Sequence, residues 1–163
     1  MSTTEPIAMT GALAPRGDWV ARHCSIEKAL EVVHTRSAFV ILREAYYGAT
    51  RFDEFSHRAR LSDPVTATRL RELVSAGLLV REPYREPGQR TRDRYRLTEM
   101  GAELLPVLVA LMQWGDRWLQ EDGPPVALRH TACGEPVTAQ LRCAGGHEVG
   151  PGEIDLVRLP RAR

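Results

Sequence analysis

The sequence predicts a mainly α-helical fold with a small β-hairpin, an α+β arrangement, from three features of the chain. Apolar residues recur at helical spacing in several segments between residues 25 and 120. A short helical segment, a tight turn and a second helical segment follow one another in the middle of the chain. Two short runs of strand character then flank Pro87-Gly88. This order predicts a winged helix-turn-helix with a small β-rich extension at the C-terminus.

Composition places the chain among compact globular proteins. Its 163 residues are 43% hydrophobic and 26% charged, and no run of about 18 apolar residues would span a bilayer. Residues 1–17 lack the basic and apolar regions of a secretory signal, so we expect a cytoplasmic protein with no membrane partner. We expect a flexible tail over residues 1–18, a main domain over 19–122 and a C-terminal extension over 123–163.

Two amphipathic helices open the main domain. Apolar residues spaced i, i+3, i+4 and i+7 predict one face for each helix. In the first helix these residues are Ile26, Ala29, Leu30 and Val33, and in the second they are Ala38, Ile41, Leu42 and Ala45. Gly48 ends the second helix.

The predicted helix-turn-helix follows. Phe52 and Phe55 anchor a short helix, and the chain turns at Leu61. Ser62 is a good N-cap for the next helix, and a proline is tolerated in the first turn. The residues expected to be buried in that helix are Val65, Leu70, Leu73 and Val74.

A hairpin and a long terminal helix complete the main domain. Arg92 to Leu97 alternate polar and apolar residues, as expected for the second strand. Thr98 caps the next helical segment, in which Pro106 either bends the helix or lies near its start. Past Gly123-Pro124-Pro125 the sequence predicts short strands and glycine-rich turns.

Local sequence strings resemble the HxlR-type family of MarR-like regulators. The resemblance covers roughly residues 20 to 120, and its parts occur in the family's order. They are Cys24-Ser-Ile-Glu-Lys-Ala-Leu30, Ile41-Leu-Arg43, Arg51-Phe-Asp-Glu-Phe55, Arg69-Leu-Arg-Glu-Leu73, Ala76-Gly-Leu78, Tyr95-Arg-Leu-Thr-Glu99 and Trp114-Gly115. The resemblance implies a homodimer that binds double-stranded DNA and acts as a repressor or activator at a pseudo-palindromic operator; of the two we expect a repressor.

The second helix of the helix-turn-helix carries the expected base contacts. If its apolar residues face the core, the opposite side enters the major groove, where Arg71 is suited to guanine and Thr68 to a phosphate or a thymine methyl. Arg69 lies nearer the boundary and braces the backbone. The DNA-binding residues predicted here are Ser62, Pro64, Ala67, Thr68, Arg69 and Arg71. The alternative is an ordinary solvated helix face.

The hairpin carries a concentration of positive charge. Residues 85 to 96 contain five arginines against two carboxylates, a net charge of +3. Such a wing would lie along phosphates or enter the minor groove, although a charged segment can equally be a solvated surface. The predicted contacts are Arg85, Arg90, Arg92 and Arg94.

The terminal helix has more apolar surface than one small domain can cover, so a second subunit is expected to bury part of it. The predicted dimer contacts, which match the family's, are Ile26, Leu30, Leu111, Trp114 and Trp118. Alternatively, these residues close the core of the single chain.

Cys24 directly precedes the first helix, whose positive N-terminal end favours the reactive thiolate. The family resemblance implies a redox sensor at this position, so the effector is either an oxidant or an unknown small molecule. A buried, unreactive cysteine is the alternative.

The extension contains two histidine–cysteine pairs. His130 and Cys133, with Cys143 and His147, are ligand types that bind zinc, although their spacing is loose. No other cofactor is expected, and a metal-free hairpin is the alternative.

Two further function classes remain open. In a thiol enzyme, Cys133 would be the nucleophile and His130 the base, but no orienting third residue or oxyanion site is evident. We therefore expect no enzyme. A winged helix used only for protein interaction would carry an acidic or apolar recognition face, whereas this one carries Arg69 and Arg71.

Overall fold

The computed structural model describes residues 6–14, 17, 24–85, 87–88 and 90–159. The chain divides into two compact units. One unit is Ser25–Thr138, and the other combines Met1–Cys24 with Ala139–Arg163.

Four helices begin the larger unit: α1 (Ser25–Val32), α2 (Arg36–Tyr46), α3 (Phe52–Ala59) and α4 (Asp63–Ser75). Thr35 caps α2 by accepting a hydrogen bond from the backbone N–H of Ala38 at 3.1 Å. The first turn of α3 is closed by Glu54, whose carboxylate accepts hydrogen bonds from the backbone N–H groups of Thr50 at 2.8 Å and Arg51 at 3.0 Å. These caps satisfy amide groups that a helix leaves unpaired at its N-terminus.

The core of this unit lies where α2, α3 and α4 meet. Its fully enclosed side chains come from all three helices and from the segment after α4, and they are Ile41, Leu42, Phe55, Leu70, Leu73, Leu78 and Leu79. The predicted apolar face of α2 is buried at Ala38, Ile41 and Leu42. None of the α1 residues is buried.

The wing is an antiparallel hairpin of β2 (Leu79–Tyr84) and β3 (Arg92–Leu97). Leu79 pairs with Leu97 at its base, and Tyr84 pairs with Arg92 near its tip. An isolated bridge from Arg51 to Arg94 joins the start of α3 to the other edge of β3. The wing is therefore attached to the helix-turn-helix through the backbone as well as through side chains.

Two helices follow the wing, α5 (Glu99–Ala102) and α6 (Leu105–Trp118). Thr98 caps α5, as predicted, by accepting a hydrogen bond from Gly101 N–H at 3.0 Å. Pro106 lies in the first turn of α6, where its missing N–H costs nothing. Helices and hairpin together confirm the predicted fold class.

The smaller unit contains β1 (Ala8–Met9), which pairs in parallel with β4 (Asp155–Leu156). The flexible tail predicted over residues 1–18 is therefore wrong at Ala8–Met9 and for the short 3-10 helix Gly11–Leu13, whose Leu13 is buried. Residues 1–5, 15–16 and 18 of that prediction, and 19–23 of the predicted domain start, lie outside the described residues.

The predicted division at residue 123 also differs from the structure. Residues 123–138 belong to the larger unit, and the second unit begins at Ala139. β-structure in this region is sparse, with isolated bridges from Arg129 to Pro136 and from Arg142 to Glu148. A pairing between strands of two residues at opposite ends of the chain leaves no periodic pattern in the sequence. None of the described helices combines the length and the apolar character that crossing a bilayer requires.

Candidate nucleic-acid interface

A left-handed residue makes the turn between α3 and α4. Arg60 has φ +53° and ψ +46°, a conformation that costs a residue other than glycine about 1 kcal/mol. The N–H of Leu61 then donates to the carbonyl of Ser56 at 3.0 Å, which satisfies one of the last carbonyls of α3. Ser62 follows as the N-cap residue of α4 and is exposed.

The buried face of α4 differs from the prediction at one position. Leu70 and Leu73 are buried as expected, but Val65 is 39% exposed and Thr66 is fully buried in its place. The Thr66 hydroxyl donates to the carbonyl of Ser62 at 3.1 Å, so its polar atom is satisfied inside the helix. The hydrophobicity of Val65 therefore does not predict its burial, because the start of α4 places the side chain of Thr66 toward the core instead.

The opposite face of α4 contains Pro64, Thr68 and Arg71. Pro64 and Arg71 are exposed, Thr68 is half-buried, and Ala67 lies at the edge of this face. Among the described residues, Arg71 has no ion-pair partner. A cation that is not neutralised within the protein keeps its full charge for a ligand.

Arg69 is placed differently from Arg71. Its side chain is only 23% exposed and forms an ion pair with Glu72, three residues further along the helix. Its Nε is buried without a hydrogen-bond partner. Arg69 therefore packs along the flank of α4, consistent with the bracing role considered from the sequence.

Cross-strand pairs neutralise part of the wing. Arg94 Nε donates to Glu82 Oε2 at 2.9 Å, and Arg81 pairs with Asp93. Both pairs follow from the register, in which Glu82 faces Arg94. The exposed arginines of the wing are Arg81, Arg85, Arg90, Arg92 and Arg96. Glu86, which entered the charge count, lies outside the described residues.

Tyr95 links the wing to the helix-turn-helix. Its ring packs edge-on against Phe55 with 6.1 Å between ring centroids, and its N–H donates to the carbonyl of Thr50 at 2.7 Å. Burial raises the pKa of the Tyr95 phenol, while the positive charges of Arg81 and Arg71 oppose this rise. The positive charge of Arg71 on α4 thus acts on Tyr95 of β3.

The structure places the predicted dimer contacts on the surface of the single chain. Ile26 and Leu30 of α1 are exposed, and so are the three predicted residues of α6, Leu111, Trp114 and Trp118. Val107, which the sequence analysis missed, is also exposed. It lies four residues before Leu111 and so extends the same stripe along α6.

The remaining predicted site residues fall in separate places. Cys24 is half-buried and directly precedes α1. His130 Nδ1 lies 3.1 Å from Cys133 Sγ in the larger unit. Cys143 Sγ lies 3.5 Å from His147 Nδ1 in the smaller unit. Across the described ranges, no three histidine, cysteine, aspartate or glutamate side chains are grouped as for a metal ion, and the zinc hypothesis stays a prediction.

Arg60 is a candidate contact that the sequence analysis missed. It is exposed in the turn directly before α4, and no other described residue forms an ion pair with it. The only signal in the sequence is a basic residue two positions before the N-cap Ser62.

Comparison with known proteins agrees with this geometry. Residues 32–123 match the family model described as HxlR-like helix-turn-helix. An uncharacterised HTH-type transcriptional regulator of Mycobacterium tuberculosis is 43% identical over 120 residues, which cover 73% of this chain and 75% of that protein.

Solved structures share the fold. The structure of PA1607, a candidate transcription factor, is 32% identical, covers 87% of this chain and 97% of its own, and superposes with a TM-score of 0.74. The redox regulator HypR in its oxidised form is 27% identical, covers 58% of this chain and 96% of its own, and has a TM-score of 0.53. Because the family model spans more than half of the sequence, the chain belongs to the HxlR-like helix-turn-helix family, a family of transcriptional regulators.

Proposed function

We propose that this chain is a cytoplasmic repressor that binds a pseudo-palindromic operator as a homodimer. The observation that carries the proposal is the exposed face of α4, where Arg71 retains an unneutralised charge beside the arginine-bearing wing. A helix-turn-helix presents this face of its second helix to the major groove. An acidic or apolar face would instead favour a protein partner.

The residues divide into two roles in this proposal. Arg71 donates two hydrogen bonds to a guanine, and Thr68 contacts a phosphate or a thymine methyl group. Ser62 and Pro64 place the N-terminus of α4, the positive end of its dipole, against the DNA backbone. Arg90 and Arg92 contact phosphates from the wing, together with Arg85.

The dimer is supported by apolar surface that the single chain leaves exposed. None of the residues of α1 is buried, and Ile26 is 70% exposed. Trp118 on α6 is 64% exposed. Large apolar side chains arranged in a stripe mark an interaction surface, and a two-fold pair of such stripes forms a closed, self-complementary interface.

The test begins with a library of randomised DNA duplexes from which the purified full-length protein selects its own sites. We expect enrichment of sequences with two related half-sites and a binding constant that falls steeply with salt concentration. Sedimentation should show two protein chains per duplex. Enrichment of single half-sites, or a binding constant that does not change with salt concentration, would contradict the proposal.

Thiol sensing at Cys24 is a second proposal, favoured by the similarity to the redox regulator HypR. Cys24 is half-buried and directly precedes α1, a helix in which no residue is buried. Oxidation or alkylation of this thiol would shift α1 within the dimer and change the spacing of the two α4 helices.

The measurement compares wild type and Cys24→Ser after treatment with a mild oxidant. Operator affinity should fall in the wild type and persist in the variant, and mass spectrometry should locate the modification on Cys24 ahead of Cys133 and Cys143. Equal responses of the two proteins would show that Cys24 is structural.

A further inference from the structure

A groove of about 570 Å³ lies between α2 and α6. The chain after α6 lines it as well, through Pro125, Val126 and Leu128. Most of its lining side chains are apolar or aromatic, and they include Phe39 and Met112. Cavities of this size and character are typical of sites for small organic molecules, which occur between packed helices.

Three charged side chains line the groove, and two of them neutralise each other. Arg43 Nε donates to Glu44 Oε1 at 2.9 Å, and the Glu44 side chain is buried. The third is Asp116 on α6, which is half-buried. No described residue forms an ion pair or a hydrogen bond with its side chain. The uncompensated charge of the groove is therefore negative.

Aromatic rings accompany this negative charge. Phe39 and Tyr46 of α2 line the groove, and so does Tyr47, which directly follows α2. The face of an aromatic ring attracts a cation, and the attraction strengthens where water is excluded. Apolar walls, aromatic rings and one unpaired carboxylate together complement a molecule that is both apolar and positively charged.

A glycine keeps the groove open. Gly115 lies inside α6, where glycine costs about 0.5–1 kcal/mol relative to alanine. A Cβ at this position would meet no atom within 4 Å, so packing within the chain does not require glycine there. Gly115 and Asp116 both line the groove, and the position of the missing Gly115 side chain is open space.

We propose that the groove binds an amphipathic organic cation, with its apolar or aromatic body between α2 and α6 and its positive centre at Asp116. The proposal goes beyond DNA binding and rests on no property of the DNA interface. Binding is therefore measured on the full-length protein in the absence of DNA.

The probe is berberine, a planar aromatic ammonium ion whose fluorescence increases in apolar surroundings. We expect saturable binding with one site per chain, weakened about fivefold by Asp116→Asn through the loss of a partly exposed ion pair.

The matched control is Asp53→Asn, which removes an exposed carboxylate of α3 that does not line the groove, and it should leave the affinity unchanged. Unchanged affinity in Asp116→Asn, or equally tight binding of the aromatic anion 8-anilinonaphthalene-1-sulfonate, would overturn the proposal.

A second pair of variants tests the location. Gly115→Leu places a side chain in the groove and should abolish berberine binding, whereas Gly115→Ala fills little of it and should retain binding. Both variants should melt at or above the wild-type temperature because each adds helix propensity in open space. Retained binding in Gly115→Leu would place the cation elsewhere, and absence of binding in the wild type would show that the groove is not a ligand site.

Discussion

Ion pairing separates the arginines of the candidate interface into two groups. Arg69 and Arg94 each have a carboxylate partner within the chain, Glu72 and Glu82. Arg71 and Arg92 have none among the described residues. A phosphate or base that approaches a paired arginine must compete with that carboxylate, so the unpaired residues are expected to contribute more to DNA binding.

At Arg71, substitution should affect sequence preference. Arg71→Ala should cost about 1–3 kcal/mol on the selected operator and relax the preference at one base position. The measurement compares affinity for the operator with affinity for a scrambled duplex at one salt concentration. Equal losses on both duplexes would reassign Arg71 to a phosphate contact.

The two wing arginines should differ in their salt dependence. Arg92→Ala should weaken binding to all sequences and lower the slope of log affinity against log salt by about 1, as expected for one lost phosphate contact. Arg94→Ala should change the slope less, because Glu82 already neutralises Arg94. An equal change of slope in the two variants would show that Arg94 leaves Glu82 when DNA binds.

Glu54 makes stability depend on pH at the start of α3. Hydrogen bonds from the backbone N–H groups of Thr50 and then Arg51 lower the pKa of its carboxyl below the usual value of about 4.3. Because the folded-state pKa is lowered, the stabilisation is present above the unfolded-state pKa and is lost as pH falls through the folded-state value.

Glu54→Gln should therefore lower the free energy of unfolding by roughly 1 kcal/mol at pH 7, the usual contribution of a helix cap. The difference from wild type should shrink below about pH 4. Urea unfolding at pH 7 and pH 3.5 measures it, with Asp53→Asn as a control for charge removal in the same turn. If the stability difference between wild type and Glu54→Gln were the same at both pH values, the negative charge of Glu54 would not contribute to the cap.

Among the elements, α5 is held against the start of the wing by a close backbone approach. A Cβ at Gly101 would lie 2.1 Å from the carbonyl oxygen of Leu78 and 3.2 Å from Leu97 Cδ2. The Tyr46 hydroxyl also donates to the carbonyl of Gly101. This contact holds α5, which lies between the wing and α6 in the chain, against the segment that joins α4 to the wing.

Two glycine substitutions should have opposite effects on stability. Gly101→Ala should destabilise the protein by roughly 1–3 kcal/mol because backbone atoms must move to admit the methyl group. Gly115→Ala should stabilise it by about 0.5–1 kcal/mol because the added Cβ enters open space within a helix. Thermal unfolding gives the melting temperature of each variant relative to wild type. A change of the same sign in both variants would contradict the packing seen around Gly101.

At the scale of the whole molecule, the proposed dimer is supported by the exposed apolar residues of α1 and α6. Trp118→Glu should produce monomers or insoluble protein, since a carboxylate buried between apolar helices has no partner there. The control is Leu141→Glu, which changes an exposed leucine of the other unit and should leave the oligomeric state unchanged. Analytical ultracentrifugation distinguishes these outcomes, and a soluble, fully dimeric Trp118→Glu protein would show that Trp118 lies outside the interface.

The sequence by itself determined the order and type of the main elements. The apolar faces of α2 and α4 follow from a spacing of three and four residues, and the wing follows from two short runs of strand character that flank Pro87-Gly88. Helix caps such as Thr98 could also be predicted from the sequence, because a capping side chain accepts a hydrogen bond from a backbone N–H only three residues away. These features depend on interactions between near neighbours in the chain.

Tertiary structure alone decided the features that join distant residues. The pairing of β1 with β4 connects the two ends of the chain, and the groove lined by Tyr47 and Asp116 brings together two helices separated by the wing. Which arginines of the wing are neutralised within the chain depends on the strand register, which places Glu82 opposite Arg94. Thr66 replaced Val65 in the core because the geometry of the turn before α4 sets which side of the helix faces inward. Local periodicity contains no information about these contacts, because each one depends on where the packed elements bring residues that are far apart in sequence.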